Sequence, residues 1–156
     1  MRHSFVIAVA ATTVLTACGR KEAGTDSTAT SAAASATTAA ASPPASVMIM
    51  TPGKGATTGA DVTVTLMAHG VTIAKADGAK VPGVGHHHLF LDTIPTPDNA
   101  PIPPTSAKIV HIGSGDSSYT FKALKPGEHR LIAVLGFGDH TPMPGGRDTV
   151  TFTVKP

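Results

Sequence analysis

Three consecutive histidines, His86, His87 and His88, sit in the stretch GVGHHHLFLD that runs from Gly83 to Asp92. Imidazole is the commonest metal-ligating side chain, and seven of the eight histidines of the chain fall between His69 and His140. Spacing decides which of them can act together. In an extended strand His86 and His88 share a face, with Cα atoms about 7 Å apart, so their rings can converge on one ion. His87 faces the other way, with Leu89 and Leu91.

A third ligand depends on which strand lies beside this one. The segment Glu128 to Leu135 is apolar on both faces, as is His86 to Thr93. Strands of that kind are central and covered twice, which pairs the two as the C and F strands of a sandwich. Antiparallel pairing brings the end of F, and the following Gly136-Phe137-Gly138-Asp139-His140-Thr141-Pro142-Met143, next to the start of C. The expected metal set is therefore His86, His88 and His140, with Met143 or Asp139 as fourth ligand. Three imidazoles suit zinc or copper, and a thioether shifts preference toward Cu(I). The competing reading has these histidines donating hydrogen bonds to backbone carbonyls at a loop–strand junction. His129 starts strand F, roughly 20 Å from Leu135 along the strand. It belongs at the opposite pole, near Asp92, as a structural polar pair. His69 and His111 read as ordinary edge histidines. Met48, Met50, Met67 and Met143 read as packing residues rather than copper ligands.

The elements that must position these residues are strands. Two-residue alternation bounded by Gly, Pro, Asn and Asp recurs through the chain, and no helical stripe competes with it. The expected strands are Val47 to Thr51, Asp61 to Ala68, His86 to Thr93, Lys108 to Ile112, Ser118 to Ala123, Glu128 to Leu135 and Thr149 to Val154. Ile94 to Thr105 carries five prolines, which makes it a stiff extended loop outside the ladder. It is the nearest candidate to cover the outer face of C and F. Seven strands in this length predict an all-β, immunoglobulin- or fibronectin-like antiparallel β-sandwich, with a small barrel or jelly roll as the alternative.

The N-terminal third has a different character. Arg2 and His3 precede an apolar run from Phe5 to Leu15, too short for a stable membrane span. Leu15-Thr16-Ala17-Cys18 resembles a bacterial lipobox, with Cys18, the only cysteine, as the acylated residue. Residues 1–17 are then a lipoprotein signal peptide. Residues 18–46, rich in Ala, Ser and Thr, form a disordered tether reaching roughly 30 Å as a flexible coil. The sandwich occupies residues 47–156. Gly19, with no Asp at that position, points by the same resemblance to the outer membrane facing the periplasm.

Composition removes other classes. Twelve Lys and Arg against ten Asp and Glu give a net charge of +2, without a basic run and with 4% aromatic residues. Nucleic-acid binding is excluded on that pattern. No Gly-x-Ser-x-Gly elbow, phosphate loop or His-Glu-x-x-His helix marks an enzyme. Two uses remain for an anchored domain. One is a copper- or zinc-binding lipoprotein. The other is a metal-free structural module of the envelope, or one that recognises a protein or an anionic glycan.

The residues also resemble a family of exported bacterial domains of unknown function. Its pattern is a Gly-x-Gly-His-His-His-Leu strand ending in Asp, a Pro-Gly-x-His-x-Leu strand and an Asp-His loop. Here these are Gly83 to Asp92, Pro126 to Leu131, and Asp139-His140. Phe90 stands where the pattern carries Leu. The resemblance implies export and a β-rich fold, and it implies no activity.

Overall fold

The computed structural model describes residues 43–156. The expected signal peptide, Cys18 and the expected tether up to residue 42 lie outside the described residues. Among the described residues there are nine strands and no helix. They are β1 (Ser46–Thr51), β2 (Thr57–Thr58), β3 (Val62–His69), β4 (Thr72–Ile73), β5 (Val84–Leu91), β6 (Ile109–Ile112), β7 (Ser118–Phe121), β8 (Gly127–Gly136) and β9 (Pro142–Val154).

They form two sheets. The smaller has the order β1-β3-β7. The larger runs β2-β9-β8-β5-β4, and β6 also pairs with β5. The far edge of β5 is shared end to end: β4 lies parallel to Val84 and Gly85, and β6 lies antiparallel to His87 through Phe90. In sandwich lettering the sheets are A-B-E and G-F-C followed by β6. This is an all-β sandwich of the immunoglobulin and fibronectin kind.

Strand β3 shows why the layers form. Val62, Val64 and Leu66 are buried, while Thr63, Thr65 and Met67 face solvent. One face of the small sheet therefore seals the core and the other stays wet. From the large sheet Leu89, Leu91, Leu131, Ala133, Leu135 and Phe152 complete the main core.

The central strands differ. Every residue of β5 from Gly85 to Leu91 is buried, as is β8 from Leu131 to Gly136. Their outer face carries a second apolar cluster of Phe90, Ile132 and Val134. Ile102, from the proline-rich loop, closes over it, and the Ile102 amide donates to the His140 carbonyl at 2.9 Å. The loop is thus a lid of extended backbone pinned on the outside of the C and F strands.

The last strand is longer than the sequence predicts. It begins at Pro142 rather than Thr149. Pro142, Pro144, Gly145 and Gly146 are turn formers, which conceals a strand in this stretch. The pairing with β8 is irregular between Val134 and Gly136, and Gly145 has φ of 75°. The Asp148 carboxylate reaches the edge of β1, accepting the Ile49 amide at 2.7 Å.

Candidate metal centre

Alternation along β5 puts His86, His88 and Phe90 on the outer face of the large sheet. The register of β5 with β8 pairs His86 with Gly136 and His88 with Val134. The chain leaves β8 and turns back within Phe137–Thr141. The Phe137 amide donates to the Thr141 carbonyl at 2.9 Å, and the His140 amide donates to the Phe137 carbonyl at 2.8 Å. The turn holds His140 at φ of 66°, the left-handed region that few non-glycine residues adopt. That conformation swings the His140 ring over the outer face, beside His86 and His88.

A fourth histidine completes the group. His111 on β6 lies directly opposite His88. The centroid separations are 4.6 Å for His86 and His88, 4.7 Å for His86 and His111, and 4.7 Å for His111 and His140. Each of the four rings offers one nitrogen, and these nitrogens all lie within 4.8 Å of one another. Nitrogens bound at 2.0–2.1 Å to a tetrahedral zinc would lie about 3.3 Å apart, so small ring rotations would bring the four onto one ion.

Both nitrogens of His86 and of His88 are buried without a hydrogen-bond partner, as is Nε2 of His111. Leaving such a group unpaired costs on the order of 1–3 kcal/mol. The reading in which these rings donate to backbone carbonyls therefore does not describe His86 or His88. It does describe His87, whose Nδ1–H donates to the Asp116 carbonyl at 3.2 Å from the core side of the sheet. Burial favours the neutral form of His86, His88 and His111. Desolvation, then the charges of His111 and His140, push His86 down to about 4. Desolvation, then the neighbouring imidazoles, pushes His88 lower still, and burial lowers His111. Neutral imidazole with a free lone pair is the form that binds a metal.

Glycines make room for the rings. A Cβ on Gly136 would lie 2.8 Å from Cε1 and 3.1 Å from Nδ1 of His88. One on Gly113 would lie 2.5 Å from Cε1 and Nε2 of His111. Beside the cluster, Pro101, Ile102, Pro104, Asp139 and His140 line a cavity of about 260 Å³.

Two residues expected as fourth ligands do other work. Asp139 Oδ1 accepts from the Thr141 amide at 3.0 Å and its hydroxyl at 2.7 Å. These bonds hold the carboxyl below its usual range and order the turn that presents His140. Met143 is buried in the main core against Gly85, on the sheet face opposite His86. Neither belongs to the cluster, and the fourth imidazole is His111, expected as an edge histidine. The signal for it was parity: with Val110 and Ile112 inward, His111 faces outward like His86 and His88. Met48, Met50 and Met67, expected as core or half-buried packing residues, stand outside the core. They are 50%, 44% and 43% exposed.

His129 and Asp92 sit at the far end of β8. His129 Nδ1 donates to Asp92 Oδ2 at 2.7 Å, and Nε2 donates to the Lys125 carbonyl at 2.8 Å. The Arg130 amide donates to Asp92 Oδ1 at 2.9 Å. The pair ties the C–F strands to the Lys125 turn and stands apart from the cluster.

No curated protein matches the chain. Among solved structures it is similar to fibronectin(III)-like modules of CbhA from Clostridium thermocellum, at 16% identity and TM-score 0.43, over 72% of this chain and 47% of that one. It is also similar to the extracellular domain of BT4673 from B. thetaiotaomicron, at 10% identity and TM-score 0.42, over 72% of this chain and 16% of that one. The chain thus spans less than half the length of either. The family described as a domain of unknown function, DUF4399, matches over residues 64–155, a span that holds all four clustered histidines, and the chain belongs to that family.

Proposed function

We propose that this domain is a metal-binding module of the bacterial cell envelope, carried on a lipid anchor at Cys18 and facing the periplasm from the outer membrane. It holds Cu(II) or Zn(II) through His86, His88, His111 and His140. One observation carries the metal reading: two fully buried imidazoles with four unpartnered nitrogens face two further imidazoles across a gap the size of an ion. An ion accepts a lone pair from each ring and offsets the cost of burying them. Metal sites usually give the second imidazole nitrogen an acceptor; His86 and His88 have none among the described residues, so the centre gains less support from its surroundings than most.

The ligand chemistry narrows the ion. An all-imidazole set without thiolate or carboxylate suits zinc, copper and nickel over magnesium, calcium or manganese. Four protein ligands fill a tetrahedral ion and leave no open position, the pattern of a holding site rather than a hydrolytic one. This supports binding over catalysis. The anchor rests on the lipobox-like Leu15-Thr16-Ala17-Cys18 and the Ala/Ser/Thr-rich stretch after it.

The test is metal analysis of the protein purified without a histidine tag. About one equivalent of copper or zinc, or uptake of one with micromolar or tighter affinity, is the expected result. Absence of both leaves the metal-free envelope module as the better account.

A further inference from the structure

We propose that the outer face of the small sheet carries a second, softer metal site, built from the thioethers of Met48, Met50 and Met67, for a monovalent cation of the Cu(I) class. It is independent of the four-histidine centre, which lies on the outside of the other sheet with the main core between.

The register of two strands assembles it. β1 and β3 are antiparallel, with Met48 directly opposite Met67 and Ser46 directly opposite His69. Directly opposed residues on one face have Cβ atoms about 4.5–5.5 Å apart. Met50 follows Met48 by two residues and stands on the same face about 7 Å along the strand. His69 shares the face but lies opposite Ser46, on the other side of the Met48–Met67 pair and out of reach of an ion held by Met50. Val47, Ile49 and Leu66 take the inward positions, and Met48, Met50, Met67 and His69 are all exposed. Met50 is also the extra residue where the β1–β3 register slips between Ile49 and Thr51. Such a bulge re-aims a side chain relative to a regular ladder.

The chemistry follows from the side chains. Methionine has three rotatable bonds and a polarizable sulfur, so three of them spaced this way can converge on one ion without moving the backbone. Thioethers select Cu(I) over hard divalent ions. The other strand residues of this face, Ser46, Thr51, Thr63, Thr65, Ser118 and Thr120, offer hydroxyl groups, and the carboxylates at its margins, Asp61 and Asp148, are taken up by Lys122 and the Ile49 amide. Its threonines also separate it from an apolar docking face, because the only large apolar groups there are the three methionines.

Silver(I) is the probe, since it matches the softness of Cu(I) without its redox chemistry. With ¹³C-methyl methionine in the full chain, silver should shift the methyl resonances of Met48, Met50 and Met67 and leave that of core Met143 in place. Substituting Met48→Leu, Met50→Leu and Met67→Leu together keeps an apolar surface. It should remove one silver equivalent per chain, or weaken its binding at least tenfold, while zinc uptake is unchanged. Unmoved methyl resonances, or the same silver stoichiometry and affinity in the leucine variant, would overturn the proposal. Because zinc uptake is read separately, failure of the histidine centre is distinguishable from failure here.

Discussion

His88 and His111 face each other across the β5–β6 ladder, their rings nearly parallel at 15° and 5.1 Å between centroids. Each presses on a glycine, Gly136 for His88 and Gly113 for His111. The cross-strand pair makes half of the candidate centre, and the glycines fix how it can be perturbed.

Gly136→Ala places a methyl group against the His88 ring and should displace it. Zinc affinity is expected to fall at least tenfold, with a destabilisation of about 1–3 kcal/mol from overpacking. Gly59→Ala, which meets nothing within 4 Å, is the control and should leave affinity unchanged. Calorimetric titration of both variants checks this. Equal affinity in the two would show that the His88 ring position does not matter.

The protein without metal should be acid-labile. His86 in the unfolded chain takes up a proton near its ordinary 6.5, and in the fold only near 4. Between those values the unfolded state binds more protons, so stability is full above 6.5 and lost as pH falls toward 4. The loss is on the order of 3 kcal/mol for His86 alone, with His88 adding in the same direction. Urea unfolding from pH 7 to 4 measures it, and a flat profile would mean that these rings are not held neutral.

His129 should behave in the opposite sense. Both its nitrogens donate, so the imidazolium is the form that satisfies both acceptors. Burial pulls its pKa down, but the Lys125 carbonyl and the Asp92 carboxylate outweigh that and raise it. Its stabilising contribution is present below the unfolded pKa and is lost as pH rises through the raised value. Asp92→Asn suits the left-handed backbone at that position (φ of 51°) but removes the charge. It should destabilise by about 1–3 kcal/mol at pH 6 and by less at pH 9, as read from denaturant midpoints.

Much of this was legible in the residues. Val62-Thr63-Val64-Thr65-Leu66 declares a half-buried strand, and two strands apolar on both faces can only be the covered centre of a sheet. From that pairing alone His140 falls beside His86 and His88. Three features were hidden for separate reasons. His111 depends on the β5–β6 register, which is set by the path of a proline-rich loop that has no periodicity. Met143 lies in a strand masked by Pro142, Pro144 and Gly145, so its face could not be assigned. In Val47-Met48-Ile49-Met50 both parities are apolar, and alternation cannot choose which one is buried. The packing preference of β-branched residues resolves it, with Val47 and Ile49 inside.

The central claim is that four imidazoles, His111 among them, hold one ion. Zinc titration of the untagged protein beside His111→Ala and His87→Ala tests it most directly. One zinc per chain should bind to the parent and to His87→Ala, and at least a hundredfold more weakly to His111→Ala. Parent-like zinc binding in His111→Ala, or none in the parent at micromolar concentrations, would contradict the account.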